Sequence, residues 1–350
     1  MGHWTQMAAA GIVAALGSLT GGAALAQDCA PTAHRVGAGE TIFTIAEARY
    51  GDPEKWTLIY YANEVALTAS VFQVKPGDML IIPCEATTVT ADATPLQTDV
   101  ENAELKLLTG SNYEPFTDLG WPGQGMLTEL VNAAMETTPD PVTYSITWEN
   151  DWGKHFPALN DKTFDMGFPW YQPDCDSQRD SERCVNYHFS DPLAEVLMLL
   201  FVKDGSDFTF ERDEDIFGKK ICRPDGFLSF DLDTPERQWL TTGKVELVRA
   251  DDEPACFNKL LDGEVDAVSL NVFLGAQVTK EMGLQGQVVP LDRPVSSLGM
   301  HMIISKRHWR GTTFLYRFNA GLAKLKESDR YNEIVSKHLG VFWDRMQADG

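Results

Sequence analysis

The sequence predicts an α/β protein in which a small βααβ unit precedes a bilobed body of two parallel-type sheets covered by helices. Three observations predict it. From Glu104 onward, short apolar runs alternate with stretches of helical periodicity, the pattern of parallel strands with helices on both faces. A second set of such runs lies inside the first, so one sheet is inserted into the other. Residues 85–103 (EATTVTADATPLQTDVENA) hold no aromatic residue and too little apolar surface to order themselves, which makes them a linker between two pieces.

Residues 1–26 contain no Lys, Arg, Asp or Glu, run apolar from Met7 to Leu25 and close on Ala24-Leu25-Ala26, the pattern of a cleaved secretory signal peptide. The alanine-rich core is too short and soft to span a membrane. The expected location is therefore the periplasm. A net charge of −22 makes nucleic acid and anionic membrane poor partners and is read as a solubility feature. The six cysteines of an exported chain call for three bridges. The pairing that stays local throughout is Cys29–Cys84, Cys175–Cys184 and Cys222–Cys256. Ala26-Gln27-Asp28 lacks the small apolar residues that precede a lipid-anchored cysteine, so Cys29 is read as a half-cystine.

In the first piece, residues 27–84, His34 to Val36 suit a strand and Gly37-Ala38-Gly39 a turn. Thr41 is placed to cap a helix carrying Ile42, Ile45 and Ala46, and Pro53 opens a second helix with Trp56, Ile59 and Tyr60 on one face, ending near Asn63. Lys75-Pro76-Gly77-Asp78 then turns into a strand with Leu80 and Ile82. From Arg35 to Pro83 this piece resembles the LysM domain, through Gly39-Glu40-Thr41-Ile42, Ile45-Ala46, Tyr50-Gly51-Asp52-Pro53, Trp56, Ile59, Asn63 and Gly77-Asp78-x-Leu80-x-Ile82-Pro83. The resemblance implies binding of N-acetylglucosamine-containing glycans, with Gly39, Glu40, Thr41, Ile42 and the residues from Asn63 onward as lining and Tyr60 or Tyr61 stacking on sugar. The competing reading is a structural cap without glycan affinity.

In the second piece, residues 104–350, strands are expected at Leu105 to Leu108, Tyr144 to Trp148, Phe164 to Phe168 and Val196 to Val202. A helix is expected at Met126 to Met135. The inserted set comprises Lys220 to Cys222, Val245 to Val248, a helix at Ala255 to Leu261 and a strand at Ala267 to Leu270; Met300 to Ile304 and two helices near Thr312 to Lys326 and Tyr331 to Leu339 follow. Tyr113-x-Pro115-Phe116, Gly125 with Glu129-Leu130, Arg183 ahead of Phe189-Ser190-Asp191-Pro192, Gly218-Lys219-Lys220 and Leu261-x-Gly263-x-Val265-Asp266-Ala267-Val268 together resemble the family 3 periplasmic solute-binding proteins. That resemblance implies a periplasmic-binding-protein fold with lobe one at 104–200 and 302–345, lobe two at 201–301, and two hinge strands. It also implies a small-molecule solute held between the lobes of a monomer, with an ABC-transporter membrane subunit as partner.

The same resemblance puts Arg183 where relatives clamp a ligand carboxylate, a task suited to the guanidinium fork. The alternative is a surface arginine paired with Asp174, Asp176, Asp180 or Glu182. Tyr113, Phe116 and Trp121 in one loop and Trp170 and Tyr171 in another offer stacking faces. Lobe two is expected to add the loop Arg223 to Ser229, with backbone amides at a helix start, and Asn271, which stands where amino-acid binders of the family carry an Asp for the ligand ammonium. Asn271 and Pro169, in place of a small polar residue, both point away from an ordinary α-amino acid. No catalytic motif, metal-ligand spacing or cofactor fingerprint occurs, so no enzyme, metal or cofactor is expected. The chain ends shortly beyond the last expected helix, which leaves no room for a fused lytic domain. Two other functions fit the same residues: a cell-wall-associated sensor or adaptor that binds peptidoglycan fragments, and an enzyme evolved on the interlobe cleft.

Overall fold

The computed structural model describes residues 30–67, 74–84 and 102–348; the leader 1–26, Cys29 and nearly all of the linker 85–103 lie outside them. In the small unit, β1 (Thr32–Arg35) pairs antiparallel with β2 (Met79–Ile82), and α1 (Ile42–Tyr50), α2 (Trp56–Ala62) and the short α3 (Glu64–Leu67) lie between them in the chain. Thr41 and Thr44 form a reciprocal capping box at the start of α1, and Gly51, at φ 72°, ends it in the left-handed region. Asn63 closes the unit. Its amide nitrogen donates to the carbonyls of Ile59 (2.8 Å) and Ile81 (2.7 Å), and its amide oxygen accepts from Ile81 N–H (2.7 Å), so one side chain ties the end of α2 to β2.

The large unit runs β3 (Leu105–Thr109), α4 (Met126–Thr137), β4 (Tyr144–Trp148), α5 (His155–Asn160), β5 (Met166–Tyr171), α6 (Glu182–Asn186), β6 (Tyr187–Phe189) and β7 (Ala194–Lys203). It continues with β8 (Lys220–Pro224), β9 (Glu246–Ala250), α7 (Glu253–Asp262), β10 (Ala267–Asn271), α8 (Val272–Glu281), β11 (Val288–Pro290), β12 (Ser296–Ser305), α9 (Gly311–Lys326) and α10 (Asp329–Gln347). The strand order is β4-β3-β5-β12-β7-β10-β8-β9, with β6 added to β12 and β11 to β7. Two separate parallel-type sheets were the expectation; hydrogen bonding instead forms one continuous mixed sheet. Parallel pairs are confined to the outer groups β4-β3-β5 and β10-β8-β9. Between them β7 and β12, ten residues each, run antiparallel to both neighbours. Ala194–Met198 of β7 pairs with β12 and Met198–Phe201 with β10, so each long strand serves both lobes and the pair forms the crossing.

Helix packing is close where small residues allow it. A Cβ on Gly321 of α9 would lie 2.2 Å from the Ala134 carbonyl of α4, and one on Gly275 of α8 would lie 2.0 Å from the Phe201 ring of β7. At either position a methyl group would force backbone or core apart.

The two units are not merely linked. Helix α2 packs on α10, where Trp343 Nε1 donates to Thr57 Oγ1 (2.7 Å) and Lys55 Nζ pairs with Asp344 (2.9 Å). The Tyr61 hydroxyl donates to the Glu195 carbonyl of β7 (2.6 Å), and its ring stacks on Phe273 of α8. One carboxyl at this junction is shifted toward neutrality: burial, then Glu195, pushes Glu64 up to about 7. It therefore holds its proton more tightly folded than unfolded. Stability associated with it falls as pH rises from the ordinary carboxyl value of 4.5 to about 7. The buried His155, His301 and His338, shifted down by burial, act in the opposite direction below their ordinary 6.5. The expected result is a difference: a Glu64→Gln protein melts higher than the parent at about pH 8, and the gap closes toward about pH 5. Melting curves of the two proteins across that range check it.

Candidate functional site

Three strand ends converge between the lobes. Tyr113 follows β3, Tyr171 ends β5 and Asn271 ends β10, each at a carboxyl end, where open α/β sheets bind their ligands. The Tyr113 and Tyr171 hydroxyls are 2.8 Å apart, and Asn271 Nδ2 donates across the lobes to the Tyr113 hydroxyl at 3.5 Å. Burial raises both phenols, Tyr113 well above its ordinary value and Tyr171 to about 12, so both keep their protons at neutral pH. Asn271 is oriented by the helix it starts. Its Oδ1 accepts from the backbone N–H groups of Phe273 (3.1 Å) and Leu274 (2.9 Å), capping α8. With the acceptor committed to the cap, the amide presents only N–H donors to the cleft.

Arg183 lies on α6, next to Cys184, whose disulfide with Cys175 (S–S 2.05 Å) staples the loop before it. Its guanidinium stacks over Trp170 (5.2 Å) and Phe156 (5.4 Å), and Nη1 donates to the Tyr171 carbonyl (3.0 Å). Among the described residues no carboxylate lies at ion-pair distance from it; of the expected alternative partners Asp174, Asp176, Asp180 and Glu182, Glu182 is near enough to favour its charged form. Burial depresses the guanidinium below its ordinary range, with Glu182 and the Tyr171 phenol acting against this. Trp170 carries a related feature: its buried Nε1 has no hydrogen-bond acceptor.

Other candidate residues take different places. Trp121 is buried against α10, with Nε1 donating to His338 Nδ1 (3.1 Å) and Phe342 alongside. Phe116 is fully buried, edge-on to Phe273 (5.4 Å). Arg223 is fully buried and forms a bidentate pair with Asp231 (2.6 and 2.7 Å), with Ser269 and the Leu228 carbonyl taking its other donors. It is therefore corrected from a cleft residue to the centre of the lobe-two interior. The loop after it leads into a single 3₁₀ turn, Phe230–Leu232. Ser229 is half-buried and accepts from Arg249 (3.3 Å), which also binds the Pro224 and Phe227 carbonyls and holds this loop in shape. A second bridge, Cys222–Cys256 in lobe two, joins β8 to α7.

In the small unit Gly39 and Thr41 are exposed and Glu40 is half-buried, accepting from Gly37 N–H (2.6 Å) beside His34. Ile42 is core, and Asn63 is saturated by its bonds to Ile59 and Ile81. Tyr60 and Tyr61 are 1% and 3% exposed at the junction with the large unit, which removes them from any sugar-stacking role. Cys84 is disulfide-bonded, while Cys29 and residues 68–73 of the expected glycan groove lie outside the described residues. No group of three or more His, Cys, Asp or Glu among the described residues is arranged to hold a metal.

Two lobes joined by crossing strands, with hydrogen-bond donors converging between them, define an interlobe binding protein. The chain belongs to the bacterial extracellular solute-binding proteins, family 3, whose model matches residues 105–341. Among solved structures it is similar to a histidine kinase sensor domain with similarity to periplasmic binding proteins, at 21% identity and a TM-score of 0.51, covering 69% of this chain and 98% of that one. It is also similar to the GluR0 ligand-binding core in complex with L-glutamate, at 15% identity and a TM-score of 0.50, covering 67% and 97%. A third similar structure is the substrate-binding protein of an amino acid ABC transporter, at 20% identity and a TM-score of 0.46, covering 67% and 98%. At these identities the likeness to the first two speaks to the fold alone. No curated protein matches the chain.

Proposed function

We propose that the protein is a periplasmic capture protein for a small anionic solute, held between the lobes and passed to an ABC-type importer. The observation that carries this reading is Arg183: a half-buried guanidinium, stacked on Trp170 and Phe156, with no carboxylate at ion-pair distance among the described residues. Between the lobes the cleft offers Asn271 N–H and two tyrosine hydroxyls, a set rich in donors. Such a set suits carboxylates and other acceptor-bearing groups and lacks the anionic side chain that an ammonium requires. Binding closes the lobes because the solute contacts both.

The test is a thermal-shift screen of the full chain against organic acids, amino acids and muropeptides. Mono- and dicarboxylates lacking an ammonium group are expected to raise the melting temperature most. A panel in which only cationic solutes stabilise the protein overturns the reading.

The small unit is proposed to be a LysM-type module that tethers the protein to peptidoglycan. Its support is the βααβ order with the Thr41 cap and the Asn63 clamp at the positions of the resemblance. Retention of the full chain by purified sacculi is the expected result; passage in the void volume removes the tether.

A further inference from the structure

We propose that Tyr61, supplied by the N-terminal unit, is a positioning residue of the interlobe site, so that docking of this unit and closure of the lobes are one linked event. The inference rests on the reading above in taking the cleft as the solute site.

Tyr61 is the residue through which the N-terminal unit touches the crossing and lobe two together. Its hydroxyl donates to the Glu195 carbonyl, one residue into β7 and opposite Gly299 of β12. Its ring lies nearly parallel to Phe273, 6.3 Å between centroids and 27° between planes. Phe273 stands in the first turn of the α8 helix that Asn271 caps, and its backbone N–H is one of the two that fix the Asn271 amide. From Phe273 the contacts continue toward the cleft. Phe116 meets it edge-on at 5.4 Å, Tyr113 meets Phe116 at 4.9 Å, and the Tyr113 hydroxyl meets Tyr171 at 2.8 Å. A continuous run of packed rings therefore joins the N-terminal unit to the groups that face the solute.

The same helix is anchored to lobe one. Thr57 and Lys55 of the α2 region hold Trp343 and Asp344 of α10. Opening the lobes turns α8 relative to α10 about the crossing strands. Tyr61, fixed to α10 through α2, then loses either its ring contact with Phe273 or its hydrogen bond to Glu195. Packed interfaces of this kind change between discrete arrangements and do not deform gradually. Docking of the N-terminal unit thus favours the lobe arrangement in which Asn271 points at Tyr113.

Amide hydrogen exchange on the full chain without solute tests this, comparing the parent with Tyr61→Ala, Tyr61→Leu and Tyr61→Phe. The expected result for Ala and Leu is exchange about tenfold faster at Phe273 and Leu274, and faster exchange at Tyr113 and Phe116, whose amides make no bond to Tyr61. Tyr61→Phe keeps the ring and is expected to restore protection at Phe273 and Tyr113. If exchange changes only at residues 52–62, 193–196 and 343–347, Tyr61 is a packing residue of the junction and the linkage is overturned. The Leu variant keeps apolar volume, so the comparison survives a failure of the Ala variant to fold. Because no solute is used, absence of a binding solute sinks the capture reading without touching this result, and an unlinked Tyr61 sinks this inference without touching that reading.

Discussion

Replacing Asp231 by Ala is expected to destabilise lobe two strongly. Arg223 is 0% exposed and Asp231 2%, and the two are joined by a bidentate pair at 2.6 and 2.7 Å. Ser296 of β12 donates to the same carboxylate at 2.6 Å, and Ser269 of β10 binds the guanidinium, so the network ties β8, β10 and a crossing strand together. Burial alone raises the Asp231 carboxyl, but the charge and hydrogen bonds of Arg223, with the Ser296 hydroxyl, more than reverse this and hold it below its ordinary range. The pair therefore stabilises the protein above the ordinary carboxyl pKa of 3.8, and that contribution is lost as pH falls through the lower folded value. Removing the carboxylate strands a buried guanidinium at a cost of about 3–5 kcal/mol. Domains carry a total stability of about 5–15 kcal/mol, so the loss is large. Urea midpoints measure it. Replacing both partners by apolar residues of similar volume, as in Arg223→Met/Asp231→Leu, is expected to recover most of the loss; a single Asp231→Ala protein as stable as the parent rules the network out as a structural element.

The second large effect concerns the cleft. Arg183→Ala is expected to weaken the best anionic solute of the screen by at least about thirtyfold, the scale for truncating one side of a buried, hydrogen-bonded charge pair. Arg183→Lys is expected to fall between, since a lysine keeps the charge but not the planar fork or the stacking on Trp170 and Phe156. Stability without solute should change little. The variant loses stacking contacts but also removes a cation that burial has made costly. Titration calorimetry gives the affinities and melting gives the stability. An affinity equal to the parent's shows that the solute is anchored elsewhere.

Much of the fold was legible because each element carried its own signal. The Thr41 cap, Pro53 at a helix start and the apolar run that became β7 are local features, and the structure places elements there. The stretch around Pro169 was not legible. A proline reads as the end of a strand, so Phe164 to Phe168 was expected to stop before it, whereas β5 runs from Met166 to Tyr171. The pairing of β5 with β12 shifts register between His301 and Ile303, opposite Phe168 and Pro169, so the ladder asks for no donor there. Trp170 and Tyr171 consequently stand on a strand and not in a loop. Arg223 was misread for the complementary reason: its partner Asp231 was in view, but nothing local says that both turn inward. The docking of the small unit lay further out of reach. Lys55 and Asp344 are 289 residues apart, and each alone looks like an ordinary surface charge.

Asn271 divides its two amide atoms between separate tasks, the oxygen holding the start of α8 and the nitrogen facing the tyrosines. An aspartate at this position would keep an oxygen on the helix and turn a second oxygen, with its negative charge, toward the solute. On the proposed reading, Asn271→Asp thus shifts the cleft's preference away from anions, alongside Arg183, while the helix that frames it stays capped.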